Sequence, residues 1–183
     1  MQRMDDKKLI ALARSAKQGD KDAFSELYEY YITPIFRFVY FRVRSRADAE
    51  DLTQNIFLKA WNSLRDYKQG ENPFSSWLYA IARNTVIDFW RKKKEWSISD
   101  LKESGLKDDG RPLEELIDEQ QDLMTIKKIM ELLNEEQQEV MILKFIEGLS
   151  GREISKIMDK KEDAVRQLQS RAIKTLKSYL KEL

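Results

Sequence analysis

The 183-residue chain contains no cysteine and no histidine. The first absence excludes disulfides, zinc–thiolate centres and cysteine nucleophiles. The second removes the commonest general base, the serine–histidine–aspartate triad and most transition-metal sites. Catalysis would have to run on carboxylates, lysine or tyrosine, so the composition weighs against an enzyme, and no cofactor or metal is expected. No apolar run approaches the ~18–20 residues that span a bilayer. The amino-terminal MQRMDDKK is charged, with no apolar segment behind it, so a cytoplasmic protein is expected. Glycine (6 residues) and proline (3) are scarce, which with 36% charged residues points to a soluble helical protein.

A large excess of one charge is also missing. The net charge is +1, so no uniformly basic coat is available for nucleic acid. The charge is instead segregated. Arg83, Arg91, Lys92, Lys93 and Lys94 face only Asp88 over residues 83–94, whereas residues 99–123 are strongly acidic. Segregation of this kind implies separate surfaces with separate partners.

What is present is helical periodicity. Apolar spacing predicts helices over 5–18, 21–43, 48–65 and 74–94, with Gly19 closing the first, Asp20 capping the second and Pro34 a possible kink or break in it. The pattern fails over SISDLKESGLKDDGRP (97–112), the best linker in the chain, and resumes with helices over 114–132, 135–147, 150–157 and 161–181. The expected fold is all-α, with two helical domains joined by a flexible acidic linker.

Three segments carry functional signals. The run from Leu149 to Leu176 reads as helix, turn, helix. Leu149, Ile154 and Ile157 form a core on the first helix, and Val165, Leu168, Ala172 and Leu176 form one on the second. The other face of the second helix carries Arg166, Gln167, Ser170, Arg171 and Lys174. Amide and guanidinium groups side by side suit the reading of base edges in a major groove. Asp159 stands at the turn, where a left-handed residue is expected. The helix over 48–64 places Ala49, Leu52, Thr53, Ile56, Ala60 and Leu64 on one arc, and Glu50, Asp51, Gln54, Leu58 and Trp61 on the opposite one. Acids mixed with a leucine and a tryptophan away from the core suit a docking surface. Alternatively, Asp48 caps the helix, the acids favour its dipole and Trp61 packs under a neighbour. The helix over 74–94 has a core arc of Phe74, Leu78, Ile81, Ala82, Thr85 and Phe89, and a second stripe of Tyr79, Arg83, Val86 and Trp90. Aromatics interleaved with cations suit single-stranded nucleic acid, or the stripe is simply a second packing face.

Taken together, GDKDAFSELYEYY (19–31), DAEDLTQNIFLKAW (48–61), FSSWLYAIARNTVIDFWRKKK (74–94) and EGLSGREISKIM with DAVRQLQSRAIKTL (147–176) resemble, in order and spacing, the extracytoplasmic-function (ECF) sigma factors of the sigma-70 family. The resemblance implies a four-helix sigma region 2 over 1–95, a linker over 96–113 and a helix-turn-helix sigma region 4 over 114–183. It implies a promoter-specificity subunit, serving a stress or envelope response, whose partners are core RNA polymerase (the β′ clamp helices and the β subunit), promoter DNA and an anti-sigma factor. Carried over by motif, Glu50, Asp51, Gln54, Asn55, Leu58 and Trp61 would bind the clamp helices. Asn84 would capture a flipped base of the −10 element, the loop from Tyr67 through Lys68 and Asn72 to Pro73 would shape its pocket, and Arg83, Arg91, Lys92 and Lys93 would hold phosphates. Lys161, Arg166, Gln167, Ser170, Arg171 and Lys174 would face the −35 groove. Two other classes compete with this reading. One is an autonomous helix-turn-helix regulator whose first domain senses a signal or dimerises. The other is a nucleic-acid enzyme using Asp48, Glu50 and Asp51 as metal ligands.

Overall fold

A computed structural model of the chain describes residues 4–43, 45–68, 73–99, 126 and 128–181. Among these residues every regular element is helical. They are α1 (Asp6–Lys17), α2 (Lys21–Tyr40), α3 (Arg46–Ser63) with a 3-10 turn (Leu64–Asp66), α4 (Phe74–Ser99), α5 (Glu135–Met141) running into a π-helical turn (Ile142–Ile146), α6 (Gly151–Ile157) and α7 (Glu162–Lys181).

The helix starts are chemically specified. Asp20 accepts from the amides of Asp22 and Ala23, and the Ser15 hydroxyl donates to it at 2.6 Å. That bond, with the two amides, holds the Asp20 carboxyl below its ordinary range. Gly19 just before it takes φ +98°, which only a residue without Cβ adopts cheaply. Ser45 rather than Asp48 caps α3; its hydroxyl accepts from the Asp48 amide, leaving Asp48 as a first-turn acid that favours the helix dipole. Asn134 with Gln137, and Ser150 with Glu153, form reciprocal capping boxes on α5 and α6.

Two expected boundaries move. α2 is continuous through Pro34, which costs it the hydrogen bond to the carbonyl one turn back. Burial of Leu27, Tyr31, Ile35, Phe38 and Val39 on the same helix offsets that loss, at about 1.5–3 kcal/mol for each large apolar side chain fully buried. α4 continues to Ser99, into the stretch expected to be linker, because no glycine or proline interrupts the sequence between Phe74 and Ser104. The rest of the expected linker, most of the helix expected over 114–132 and residues 69–72 (Asn72 among them) lie outside the described residues; 128–130 are helical.

α1 to α4 pack as one bundle around Leu27, Ile35, Phe38, Ile56 and Leu78. α5, α6 and α7 pack around Val140, Ile142, Leu143, Ile154, Val165 and Ala172. The two bundles meet where α6 lies against α4, and their buried residues form one continuous apolar cluster.

Candidate functional site

α3 buries Ala49, Thr53, Ile56 and Ala60, the arc its periodicity selects, together with Phe57. Its other face is solvent-exposed at Glu50, Asp51, Gln54, Asn55 and Leu58. Leu58 is 63% exposed, a large apolar side chain flanked by polar ones on a helix whose own core is complete. Glu50 pairs with Arg46 at 2.8 Å. Trp61 is half-buried, edge-on to Phe24 with centroids 4.8 Å apart, so it forms the border of this face rather than its centre.

α4 uses its second stripe differently. Tyr79 and Val86 are buried, and the Trp90 indole N–H donates to the Arg42 carbonyl at 3.1 Å. The stripe is therefore a packing face, and its aromatic rings are not presented as a platform for bases. The cations at the end of α4 stay near the surface. Arg91 pairs with Asp88 at 3.0 Å, Lys92 is exposed, and Lys93 lies over the rings of Phe89 and Trp90 at 5.3 and 5.7 Å. Tyr67 is buried against Phe74 and Trp77, and its carbonyl accepts from Lys17 Nζ at 2.6 Å; Lys68 beside it is exposed.

Asn84 is exposed on the rim of an open groove of about 440 Å³ between α3 and α4. Lys59, Asn62 and Asp66 line the α3 side, and Ile81 and Thr85 the α4 side, with Lys59 Nζ donating to Thr85 Oγ1 at 3.1 Å. A groove with an amide, a cation, a carboxylate and an apolar wall can hold one heteroaromatic base. The sequence reading missed Lys59, Asn62 and Asp66. Their spacing along α3 and its terminal turn was a usable signal once the two helices were known to be adjacent.

In the second domain α6 and α7 form the expected helix-turn-helix. Asp159 occupies the left-handed region at φ +51°, as its place in the turn requires. An aspartate tolerates that conformation better than most residues. Val165 and Ala172 are fully buried and Leu168 and Leu176 partly so, while Lys161, Arg166, Gln167, Ser170, Arg171 and Lys174 are exposed on α7 or just before it. Arg166 is ion-paired to Asp163, three residues earlier on the helix.

The seam between the bundles was invisible to sequence reasoning. Glu139 of α5 has a side chain 2% exposed; its carboxylate lies 2.8 Å from Arg83 Nε and 3.5 Å from Arg42 Nη1. These are ionic contacts without aligned hydrogen bonds, although Arg42 Nη1, Arg83 Nε and Glu139 Oε1 are all buried. Glu147, also 2% exposed at its side chain, accepts from Arg37 Nε and Nη2 at 3.3 and 3.1 Å and from the Tyr79 hydroxyl at 3.0 Å. Burial pushes both carboxyls above their ordinary range and outweighs the neighbouring guanidiniums; burial likewise lowers Arg42 and raises Tyr79.

Among the described residues no helix is long and apolar enough to cross a membrane, and no group of three or more acids could hold a metal ion. The family model for sigma-70 region 2 matches residues 27–95, and that for sigma-70 region 4 matches residues 123–176. The ECF RNA polymerase sigma factor BldN of Streptomyces coelicolor is 32% identical over 96% of this chain and 67% of its own length. The ECF RNA polymerase sigma factor SigX of Bacillus subtilis is 27% identical over 89% of this chain and 86% of its own. Two solved structures share the fold. CnrH in complex with the cytosolic domain of CnrY has a TM-score of 0.75 at 22% identity, covering 96% of this chain and 98% of that one. The sigma factor RpoE of Bartonella quintana, solved with the anti-sigma factor NepR, has a TM-score of 0.70 at 24% identity, covering 86% and 96%. With both regions matched in order and a relative aligned along almost the whole chain, the protein belongs to the ECF sigma factors of the sigma-70 family, non-enzymatic factors that direct promoter-specific initiation by RNA polymerase.

Proposed function

We propose that the outer face of α3 (Glu50, Asp51, Gln54, Asn55, Leu58, with Trp61 at its border) docks on the β′ clamp helices of core polymerase. The observation that carries this is Leu58, 63% exposed among acids and amides on a helix whose opposite face is already buried. An exposed apolar side chain ringed by polar groups, with a tryptophan at the border, fits the apolar centre and polar rim of a protein interface. In this reading residues 1–95 act as region 2, 96–113 as the connection and 114–183 as region 4, and the protein works in the cytoplasm.

The rest of the mechanism involves no covalent step. Asn84 and the α3–α4 groove receive one base of the −10 element, at a stacking cost of a few kcal/mol that groove contacts and single-strand binding must offset. Lys68, Arg91, Lys92 and Lys93, with Arg83 when it is released, hold phosphates; these contacts supply affinity and salt dependence. On α7 and just before it, Lys161 and Lys174 hold phosphates, and Arg166, Gln167, Ser170 and Arg171 discriminate the −35 sequence. The match of both sigma-70 regions in order, with a relative aligned along almost the whole chain, favours this over an autonomous regulator. An anti-sigma factor is proposed as a further partner, since RpoE of similar fold is held by one.

Run-off transcription with core polymerase and a promoter library tests the reading. The wild-type chain should bind core and confer initiation at a specific promoter set. Tight binding to duplex operator alone, with no binding to core, would support the autonomous regulator instead.

A further inference from the structure

We propose that Glu139 and Glu147 form an intramolecular latch that holds the free chain closed and withholds Arg83 from DNA. The biological part of this, that Arg83 is wanted by a phosphate, rests on the function proposed above; the latch itself does not.

The seam is built from opposite charges placed on opposite bundles. The second bundle contributes two acids, Glu139 and Glu147, each 2% exposed at the side chain. The first contributes Arg37, Arg42, Arg83 and the Tyr79 hydroxyl, drawn from α2, the turn after it and α4. Arg83 is only 21% exposed here, so its guanidinium serves Glu139 and is not presented to a nucleic acid. One side chain cannot hold both partners, which makes the closed seam and a phosphate-bound Arg83 alternative states. Bundles packed against each other also cannot reach two promoter elements separated along the DNA.

The chemistry suits a contact made to open. In the Arg42–Glu139–Arg83 cluster three buried atoms, Arg42 Nη1, Arg83 Nε and Glu139 Oε1, lack an aligned hydrogen bond. Burying ions in that way recovers little net stability, while a mismatch of charge there is severely penalised. Apolar packing of α6 on α4 supplies the attraction, and the ions fix the register and keep the net stability low. A partner that binds only the separated bundles then needs little differential affinity to open them.

The test exploits the absence of cysteine. Glu29→Cys on α2 and Ser178→Cys on α7, both exposed, accept a donor–acceptor dye pair for energy transfer in the full-length chain. Glu139→Arg and Glu147→Arg, made separately, each place like charge against the arginines; either should raise the open-to-closed ratio by about 100-fold or more and lower transfer. The swap Arg37→Glu with Glu147→Arg should restore transfer, which a general loss of packing would not do. If Glu139→Arg loses helicity, the Glu147→Arg variant and its swap decide, because Arg37 is 40% exposed and tolerates the exchange. Unchanged transfer in the charge-reversed variants that stay folded, or no recovery in the swap, would overturn the latch. Binding of a single-stranded oligonucleotide by the free protein gives the separate readout. Opening with tighter binding supports both statements, whereas opening without it keeps the latch and removes the phosphate role of Arg83.

Discussion

Helices α3 and α4 both carry large apolar side chains on a second face, and they use that face in opposite ways. On α3 it is open, with Leu58 63% exposed between acids and amides. On α4 it is closed. Tyr79 and Val86 are buried, and Arg83 is engaged by a carboxylate of the other bundle. An apolar residue off the core arc of a helix therefore has two meanings, an interface awaiting another molecule or an interface already made within this one. Mixed character does not separate them, because both faces combine large apolar with charged side chains. The three-dimensional neighbour does.

The largest effect expected from that difference is on stability. Val86→Asp puts an unpaired carboxylate into the closed face and should destabilise the fold by about 3–5 kcal/mol, read as a collapse of the thermal midpoint. Leu58→Asp, on the open face, should cost about 0.5 kcal/mol or less and leave the same midpoint nearly unchanged. Equal losses from the two substitutions would erase the distinction between the helices.

Next come the promoter contacts. Arg171→Ala should weaken binding to the −35 element by about 1–3 kcal/mol and relax base preference at one position, with core binding unchanged; footprinting across promoter variants checks it. Asn84→Ala should slow promoter opening roughly tenfold without altering core affinity, as expected if one base contact is lost from the α3–α4 groove. Normal permanganate reactivity of the melted strand in that variant would reject base capture by Asn84.

The smallest effect concerns pH at the seam. Glu139 faces Arg42 and Arg83, and Glu147 faces Arg37 and Tyr79. Burial raises both carboxyls in the closed form, so that form binds protons more tightly than one in which they meet water. The extra stability of closure is complete below the ordinary carboxylate range and is lost as pH rises through the raised values. Energy transfer between the bundles should therefore increase modestly as pH falls from neutral. A decrease would mean that ionic attraction rather than apolar packing drives closure.

Most of the fold was legible from periodicity and capping chemistry. Four helices before the linker, the turn at Asp159 and the buried arc of α3 all follow from spacing, from Asp20 and Gly19, and from local side-chain bonds. The exposed face of α7 was equally legible, because a short helix-turn-helix folds mainly on its own neighbours. What escaped is long-range. Glu139 and Glu147 look in sequence like ordinary surface acids, and Arg37 and Arg42 like ordinary surface bases; only the packing of one bundle on the other buries the two acids and Arg42 and brings Arg37 to Glu147. Lys59, Asn62 and Asp66 escaped for the same reason, since a groove needs two walls. α4 outran its expected end because polarity alone does not stop a helix that meets no glycine or proline.

The most direct test of the central claim, that the open face of α3 is where polymerase docks, is the affinity of Leu58→Arg for core polymerase measured beside its thermal midpoint. Loss of a buried anchor at an interface centre corresponds to about 2 kcal/mol or more, a roughly 30-fold or greater rise in Kd, with the midpoint unchanged. A folded Leu58→Arg variant that binds core with wild-type affinity and initiates normally would contradict the claim.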